Sequence, residues 1–457
     1  MKLVGLDIGT TTICGLVLDP DTGEVVSVRT EPNASAIPGA APWEALQDPE
    51  AILAAAANIA DRFLDAFADV AGIGVAGQMH GILYVDRHGM AASPLYTWQD
   101  GRGDRDFTHG ETHAAHLSQR LGHSLSTGMG FVTHHYNTRA GLVPEEAASL
   151  CTAADYVAMR LAHAAVPLID ATNAASLGCF DLSALDFRRG AMDGLGIDPS
   201  LFPRVVHGYP GMGEARRGVP VFVAVGDNQA SFLGAVRDVG SSLLVNIGTG
   251  SQLSLFIQNP AVIPGIDTRP FPFGGYIGVG AALCGGRAYA LLREFFDRTV
   301  RLFTGTAGAA SWETMNAVTE ASLGAGDRLA VSTRFAGTRA EPGIRGMVSN
   351  LSQRTFTPEH LIVGVREGIV SELLDFYDRF PAAARGAVRF LVGSGNGIRL
   401  NPDLRAAFAR TLGMRMGVPA CREETSLGAA ILAAVAAGAV PDLAAAGSLV
   451  EHESGPT

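Results

Sequence analysis

Lysine is almost absent from this chain of 457 residues, since Lys2 is the only one. Enzymes that form a Schiff base on a lysine would have to use this residue. Phosphate loops of the lysine-bearing type would have to use it as well. Position 2 suits neither role, so the sequence argues against both classes of site.

Cysteine is also scarce, and its five residues lie far apart: Cys14, Cys151, Cys179, Cys284 and Cys421. No pair has the spacing of a zinc or redox motif, and an odd number argues against a disulfide framework. Free thiols in a reducing compartment are the simplest interpretation, and we expect a cytoplasmic protein.

Basic runs and long apolar runs are missing too. Adjacent arginines occur only as the pairs 188–189 and 216–217, and the net charge is -11, which argues against nucleic acid or an anionic membrane as a main partner. Asp7 interrupts the first apolar run, which argues against a signal peptide. The longest apolar run, 427–440, is shorter than the roughly 20 residues that span a bilayer. We predict a buried helix there.

The length and the remaining composition indicate a folded protein of two or more domains. Hydrophobic residues make up 47% of the chain and charged residues 17%, as in compact globular proteins. Apolar segments at 3–6 and 13–18 flank a Gly-Thr turn, and a third follows the turn at 21–23, which predicts a β-meander. Helical periodicity over 49–68 predicts a helix.

The opening strand–turn–strand pattern recurs at mid-chain, over residues 242–257. Its Ile-Gly-Thr matches that of the first turn, with Asn246 in the place of Asp7. The repeat predicts two halves of similar design. We place the boundary near 239–241, which gives domains 1–238 and 239–457.

Both turns carry groups that can bind phosphate. Glycine lets the backbone approach an anion, and successive N–H groups with threonine hydroxyls can satisfy its oxygens. An ordinary tight hairpin would use the same residues. The candidates are Asp7, Gly9, Thr10, Thr11 and Thr12 in the first turn, and Gly248, Thr249 and Gly250 in the second.

A carboxylate follows a buried strand at 221–226. Asp227 comes directly after Gly226 and opens a helical segment, and strand ends are where α/β proteins place ligands. Such a carboxylate can take a proton from a hydroxyl that attacks phosphorus. The alternative is a helix N-cap, for which aspartate is favoured.

Two loops carry groups that suit the hydroxyls of a polyol, namely Gln78, Met79, His80, Trp98, Asp100 and Arg102. A structural histidine and an exposed turn would account for the same residues. The glycine-rich turn in 390–404 could let a flat base lie against the backbone, and we expect a helix to start near 401–402. A dinucleotide fingerprint is absent. His113 and His116 share a predicted helical face, with His109 a turn earlier, and a metal site and a solvated surface are the alternatives.

Taken in order, GLDIGTTT, GQMHG, TWQDGR, VGDNQAS, NIGTGS and GSGNG resemble the motifs of the FGGY carbohydrate kinases. The resemblance runs from about residue 3 to 436. Within the family, GQMHG, TWQDGR and the segment 155–181 are most similar to the sedoheptulokinase subgroup. The resemblance implies an α/β fold of two actin-like (ribonuclease H-like) domains around a central cleft, with ATP and Mg²⁺ bound there.

The resemblance also implies roles for individual residues. Asp227 would be the catalytic base, and Asp7 would hold Mg²⁺. The sugar would contact Gln78, Met79, His80, Trp98, Asp100, Arg102, Asn173, Asp227 and Asn228. The nucleotide would contact Asp7, Gly9, Thr10, Thr11, Thr12, Gly248, Thr249, Gly250, Gly285, Gly286, Gly393, Ser394, Gly395 and Asn396.

The expected activity is ATP-dependent phosphorylation of the terminal primary hydroxyl of a ketose, with sedoheptulose as the favoured substrate. Xylulose, ribulose or another ketose or polyol is the alternative within the family. An actin- or chaperone-like ATPase would have no need of the GQMHG loop or Asp227, and a zinc-containing sugar kinase would need a cysteine cluster. We expect a small-molecule ketose as partner, no nucleic acid, no membrane, and a monomer or homodimer.

Overall fold

The computed structural model describes residues 1–306, 308, 310–324, 326–338 and 341–453. These residues form two compact units. The first combines Met1–Arg237 with Arg269–Tyr276 and Glu423–Glu451, and the second comprises the other described residues. The first unit is therefore not continuous in sequence. The division into 1–238 and 239–457 stays a prediction about how the chain is organised.

The strands follow from short, largely apolar segments that end at turn residues. In chain order they are β1 Lys2–Ile8, β2 Thr12–Leu18, β3 Val25–Pro32, β4 Ala36–Ile37, β5 Leu46–Gln47, β6 Val70–Gly77, β7 Leu83–Val85, β8 Leu95–Tyr96, β9 Asp106–Thr108, β10 Glu111–Thr112, β11 Ser149–Cys151, β12 Leu168–Asp170, β13 Phe180–Asp181, β14 Asp186–Phe187, β15 Arg204–Val206, β16 Gly211–Ala215, β17 Val219–Phe222, β18 Val225–Gly226, β19 Ser242–Ile247, β20 Ser251–Ile257, β21 Asp267–Pro270, β22 Tyr276–Ala282, β23 Ala330–Ser332, β24 Met347–Ser349, β25 Phe390–Ser394 and β26 Met416–Gly417.

Most of the longer helices begin at a side chain that caps the first turn. In chain order the helices are α1 Pro49–Ala66, α2 His113–Leu121, α3 Gly130–Ala140, α4 Ala153–Leu161, α5 Ala171–Leu177, α6 Arg189–Gly194, α7 Asp227–Ala235, α8 Gly285–Thr304, α9 Trp312–Ala317, α10 Pro358–Tyr377, α11 Ala382–Ala387, α12 Asn396–Arg399, α13 Pro402–Leu412, α14 Glu424–Ala436 and α15 Leu443–Ala446. Within the described ranges, every helix is too short or too polar to traverse a bilayer.

The first unit is built on a sheet of order β16-β17-β6-β1-β2-β3, in which β18 also pairs with β6. The hairpins β1–β2 and β2–β3 are antiparallel, as the predicted meander requires. β6 lies parallel to β1 on its other side, and β17 and β18 lie parallel to β6. The carboxyl ends of β1, β6 and β18 therefore meet at one edge of the sheet.

The second unit repeats this arrangement in a sheet of order β21-β22-β20-β19-β25-β26. Its first hairpin, β19–β20, is antiparallel, and β25 and then β26 continue the sheet in parallel from β19. Strand β19 thus occupies the place that β1 has in the first sheet. The mid-chain repeat predicted from the two Gly-Thr turns is confirmed at the level of strand order.

The predicted elements differ from the structure mainly at their ends. The helix expected over 49–68 ends at Ala66, and the buried helix expected over 427–440 is α14, Glu424–Ala436. The N-cap interpretation of Asp227 is wrong, because Gly226 occupies the cap and Asp227 is the first helical residue. Among the described residues, no side chain makes a capping hydrogen bond at the start of α7.

Candidate active site

Three of the predicted site residues meet where parallel strands of the first unit end. Ile8 lies beside Gly77 in the β1–β6 register, and Gly226 lies on the other side of Gly77. The next residues along each strand are Gly9, Gln78 and Asp227. Open parallel sheets bind ligands outside this edge because the loops there converge while their backbones are held rigidly.

Asp7 is the carboxylate on the central strand of this edge. Its Oδ1 is buried and makes no hydrogen bond among the described residues. Burial raises the pKa of Asp7 well above its usual range, and the negative charges of Asp227 and Glu423 raise it further. An ionised Asp7 therefore needs a cation close by.

The residues present fit a magnesium ion. Mg²⁺ prefers oxygen ligands and usually keeps several waters, so one or two carboxylates with substrate phosphates suffice. In the described part of the chain, no group of three or more histidine, cysteine, aspartate or glutamate side chains could form an all-protein metal site. The unpaired oxygen of Asp7 is the donor that such an ion would use, directly or through water.

Asp227 has the electrostatics of a general base. Burial raises its pKa to about 6, while the guanidinium of Arg269 and the backbone N–H of Asn228 oppose the rise. A base with a pKa near the operating pH combines an ionised resting state with a useful affinity for a proton. The residue before Asp227 is held in place by a hydrogen bond, because the N–H of Gly226 donates to Thr172 Oγ1 over 3.1 Å.

The first phosphate loop is tied to the GQMHG and TWQDGR loops. Thr10 Oγ1 donates to Gln78 Oε1 over 3.2 Å and accepts from Trp98 Nε1 over 3.0 Å. The side chains of Thr11 and Thr12 are exposed at the turn between β1 and β2. Thr10 thus links the predicted phosphate and sugar positions, while Thr11 and Thr12 point their hydroxyls to the surface of this unit.

The predicted sugar residues of the two loops differ in burial. Gln78 and Met79 are buried, and Trp98 is 46% exposed. His80 has a positive φ of 75°, which a non-glycine residue adopts only when its surroundings hold it. The holding contact is Ser176, because Nδ1 of His80 lies 2.7 Å from the carbonyl oxygen of that residue. A carbonyl only accepts, so Nδ1 carries the proton.

Asp100 and Arg102 form a buried pair. Arg102 is 1% exposed and Asp100 is fully buried. Nε of Arg102 donates to Asp100 Oδ1 over 2.6 Å, and its guanidinium lies 4.0 Å from the ring centre of Tyr96. Arg102 also donates to Asn137. The charged groups of both residues are therefore paired inside the protein. The same contacts fix the loop that carries Trp98.

Asn173, on α5, is another predicted sugar residue with a buried polar group. Its Nδ2 donates to Asp155 Oδ1 over 3.2 Å. Its Oδ1 is buried and has no hydrogen-bond partner among the described residues. Burial raises the pKa of Asp155 to about 7, so this pair lies in a region of low polarity. A buried acceptor without a donor is what a ligand hydroxyl would satisfy.

Sequence reasoning did not find Arg269. It lies 42 positions after Asp227, in a segment without a recognisable motif, and yet its charge acts on Asp227. Its Nη1 lies 3.8 Å from Sδ of Met79. The sequence held no signal for this placement, because it depends on Arg269–Tyr276 packing into the first unit.

In the second unit, the equivalent strand ends bring the other predicted loops together. Asn246 Nδ2 donates to Ser394 Oγ over 2.8 Å, which joins the end of β19 to the end of β25. The N–H groups of Gly286 and Arg287 donate to the carbonyls of Gly248 and Thr249 over 3.0 and 2.9 Å. The glycine loops at 248–250, 285–286 and 393–396 therefore form one continuous structure.

A cavity of about 570 Å³ opens beside these loops. Gly248, Thr249, Gly286 and Asn396 line it, and the remaining lining residues include an aromatic and polar group that sequence reasoning missed: Tyr289, Trp312, Asn316, Arg366 and Asn401. The rings of Tyr289 and Trp312 stack with centroids 5.7 Å apart. The volume lies within the range of ligand pockets and suits a nucleoside.

Of the three histidines considered as a metal site, His113 and His116 lie on α2 with both rings next to that of His135, but the described residues form no group of three that could hold a metal. His109 lies in the turn before α2 rather than on that helix. His113 is buried, with its Nδ1 2.9 Å from Nδ1 of His135, so the solvated-face interpretation is wrong for this residue. His116 instead pairs with Glu111 over 3.2 Å.

Comparison with known proteins gives the same assignment for both halves of the chain. Residues 2–238 match the model of the FGGY family of carbohydrate kinases, N-terminal domain, and residues 243–437 match that of the C-terminal domain. Sedoheptulokinase from Mus musculus is 27% identical over 89% of this chain and 92% of that protein. Glycerol kinase from Azotobacter vinelandii is 26% identical over 95% and 89%. Xylulose kinase from Escherichia coli strain K12 is 26% identical over 54% and 52%.

Solved structures match the fold over nearly the whole length. Xylulose kinase from Rhodospirillum rubrum superimposes with a TM-score of 0.82 at 21% identity, covering 99% of this chain and 93% of that one. Glycerol kinase from Plasmodium falciparum, solved with ADP, gives 0.80 at 16% identity, covering 99% and 94%. The fold is thus the two-domain actin-like fold of these kinases.

Proposed function

Because the chain belongs to the FGGY family of carbohydrate kinases, it is a sugar kinase, and we propose that it converts sedoheptulose to sedoheptulose 7-phosphate with ATP. The observation that carries the chemistry is the placement of Asp227. It is a carboxylate whose pKa burial raises to about 6, at an edge of the sheet that it shares with Asp7 and Gln78.

Asp227 would act as the general base. Its carboxylate would accept the proton of the terminal primary hydroxyl as the hydroxyl oxygen attacks the γ-phosphorus of ATP. The new bond joins the sugar oxygen to phosphorus, and the bond from phosphorus to the bridging oxygen of ADP breaks. ADP leaves with that oxygen, and the proton stays on Asp227 until it passes to solvent.

Asp7 and the glycine loops would hold the phosphates. The carboxylate oxygen of Asp7 that has no hydrogen-bond partner would hold Mg²⁺, directly or through water. Bound there, the ion would supply the positive charge that phosphoryl transfer requires. Lys2 is the only lysine of the chain, so no other lysine could supply that charge. Backbone N–H groups at 9–12 and 248–250 would bind phosphate oxygens.

The cavity of the second unit would take the nucleoside of ATP. Its wall combines the glycine turn at 393–396 with the stacked rings of Tyr289 and Trp312. In this proposal residues 1–238 carry the sugar site and the first phosphate loop, and residues 239–457 carry the nucleotide site. A cytoplasmic monomer or homodimer completes the proposal.

The sugar would lie against the GQMHG and TWQDGR loops. The indole of Trp98 is exposed and would pack on one face of the ketose. Asn173 Oδ1 is a buried acceptor that a sugar hydroxyl would satisfy, and Gln78, His80 and Asn228 supply further polar groups. The match to the mouse sedoheptulokinase over about nine-tenths of both chains supports a seven-carbon ketose.

A ketose panel tests the substrate. Purified protein with ATP and Mg²⁺ would be assayed for ADP release with sedoheptulose, xylulose, ribulose, fructose and glycerol side by side. We expect the highest kcat/KM with sedoheptulose, and mass spectrometry should find the phosphate on carbon 7. A higher kcat/KM for xylulose or ribulose would replace sedoheptulose in the proposal. ADP release that no sugar stimulates would overturn the proposed activity and indicate an ATPase.

A further inference from the structure

Arg269 reaches the proposed base from a part of the chain that the base's own motif does not include. It lies on β21, Asp267–Pro270, and residues Arg269–Tyr276 pack as part of the first unit. Nη1 of Arg269 lies 3.8 Å from Sδ of Met79, so the guanidinium lies against the GQMHG loop. Arg269 is only partly exposed, so the charge is held at a restricted position.

Met79 connects this guanidinium to the backbone that precedes the base. Met79 is buried, and its Sδ lies 2.7 Å from the point that a Cβ on Gly226 would occupy. The sulfur therefore fills the space directly against Gly226, and Nη1 of Arg269 contacts the same sulfur. A cation held in this position is close enough for its charge to act on the carboxylate of Asp227.

The segment that carries Arg269 is anchored to the helix that carries the base. Gln229, on the first turn of α7, is fully buried, and its Nε2 donates to the carbonyl oxygen of Pro270 over 3.0 Å. One turn further, the rings of Phe232 and Phe271 meet edge to face with centroids 5.7 Å apart. These two contacts therefore hold the Arg269 segment against helix α7.

The negative charges around Asp227 explain why a cation is needed beside its carboxylate. Asp227 is half-buried, and its negative charge and that of Glu423 both act on Asp7. Several carboxylates in a region of low polarity repel one another and disfavour ionisation. Arg269 is the charged side chain that opposes this effect on Asp227.

We propose that Arg269 is a positioning residue for the phosphoryl transfer, whose guanidinium holds the Asp227 carboxylate ionised and aimed at the acceptor hydroxyl. The inference rests on the proposed function, because it assigns Arg269 a part in that reaction. Arg269 acts through Asp227 and takes no proton itself, since an arginine stays charged throughout the working range of pH.

Three variants test this assignment. Arg269→Ala removes the guanidinium, Arg269→Lys keeps the charge, and Arg216→Ala is the matched control. Arg216 belongs to the same unit and pairs with Asp61 and Asp65 at the surface. Each variant would be assayed with the best ketose for kcat and for both KM values, and its unfolding midpoint would be measured in urea.

We expect Arg269→Ala to lower kcat about 10²-fold, the scale of misplacing a reacting group by roughly 1 Å. The KM for ATP and the unfolding midpoint should stay close to the wild-type values. Arg269→Lys should retain most of the activity, and Arg216→Ala all of it. Guanidinium chloride at millimolar concentration, far below the molar range that unfolds proteins, should restore part of the kcat of Arg269→Ala.

A kcat for Arg269→Ala within threefold of wild type would overturn the inference, as would a loss that neither lysine nor free guanidinium restores. A loss that follows the unfolding midpoint would assign Arg269 to folding alone and would overturn it as well. These outcomes differ from failure of the proposed function, in which the wild-type protein itself phosphorylates no sugar.

Discussion

The buried pair of Asp100 and Arg102 allows a sharp separation between binding the sugar and holding the site together. The resemblance to the kinase family places both residues in the sugar site, whereas the structure has their charged groups paired inside the protein. We predict that Arg102→Met mainly lowers the stability of the first unit. Its effect on the KM for the ketose should be the smaller of the two.

The magnitude follows from what the substitution leaves behind. Asp100 is fully buried, so removal of its partner leaves a carboxylate in a region of low polarity. Breaking a buried pair in this way costs about 3–5 kcal/mol. The contact of the guanidinium with the ring of Tyr96, at 4.0 Å, is lost as well. Asp100 keeps two backbone donors, the N–H groups of Ala45 and Arg102, each at 3.1 Å, so we expect the lower half of this range.

Urea unfolding, followed by circular dichroism and by tryptophan fluorescence, would measure the loss. Trp43 and Trp98 both lie close to the pair, because Gly101 N–H donates to the carbonyl of Trp43 and Trp98 is two residues before Asp100. Two of the three tryptophans therefore report on this unit, and the third, Trp312, reports on the second unit. The double variant Asp100→Asn/Arg102→Met removes both charges and should recover at least half of the lost stability.

One result would refute the reasoning. If Arg102→Met changes the free energy of unfolding by less than about 1 kcal/mol, the scale of a surface pair, the buried pair does not stabilise this unit. A concurrent tenfold rise in the KM for the ketose would show that Arg102 contacts the sugar directly. A failure of the double variant to recover stability would mean that the guanidinium stabilises the loop by packing rather than by charge.

Four further predictions concern the strand-end edge itself. Asp227→Asn should lower kcat about 10²–10⁴-fold, the usual effect of removing a general base, with ketose binding kept; near-normal turnover would exclude the role. Because the base must be ionised and its pKa is raised to about 6, kcat/KM of the wild type should fall tenfold per pH unit below pH 6, and a flat profile down to pH 5 would contradict this. Gly226→Ala should lower both kcat and the unfolding midpoint, since its Cβ would lie 2.7 Å from Gln229 Oε1 and from Met79 Sδ; an unchanged midpoint would mean that this packing relaxes readily. Asp7→Asn should raise the unfolding midpoint of the protein without ligands at pH 7, because a carboxylate whose folded pKa is raised destabilises the fold once it is ionised. The same variant should lose Mg²⁺-dependent turnover, and equal losses of turnover and sugar binding would make the first turn purely structural.

Much of the fold could be predicted because the informative patterns are local. The meander β1–β3 and its repeat β19–β20 follow from short apolar runs between turns of glycine, threonine and aspartate. Helix α1 follows from its apolar period, with Asp48 as its cap. The carboxyl ends of β1, β6 and β18 then place Asp7, Gln78 and Asp227 at one edge, since parallel neighbours end together.

The parts that could not be predicted depend on contacts between segments far apart in sequence. Asp100 and Arg102 have the residue types of an exposed polar turn, and only the surrounding rings of Trp43, Tyr96 and Tyr136 make the pair a buried one. Arg269 carries no motif and gains its role from the packing of its segment against α7. Residue type alone does not distinguish a ligand-binding charge from one that is already satisfied inside the protein.

Helix α14 shows why the compact units do not follow the sequence order. The helix is apolar on all sides, so its composition predicts burial but not the neighbours. The neighbours are selected by glycine: a Cβ on Gly428 would lie 1.8 Å from the carbonyl oxygen of Ala230, and one on Gly5 would lie 1.9 Å from that of Ser426. Only a residue without a side chain permits such a close approach, and Gly428, which faces α7, and Gly5 on β1 meet this condition. The last long helix of the chain therefore packs against β1, which carries Asp7, and against α7, which begins at Asp227.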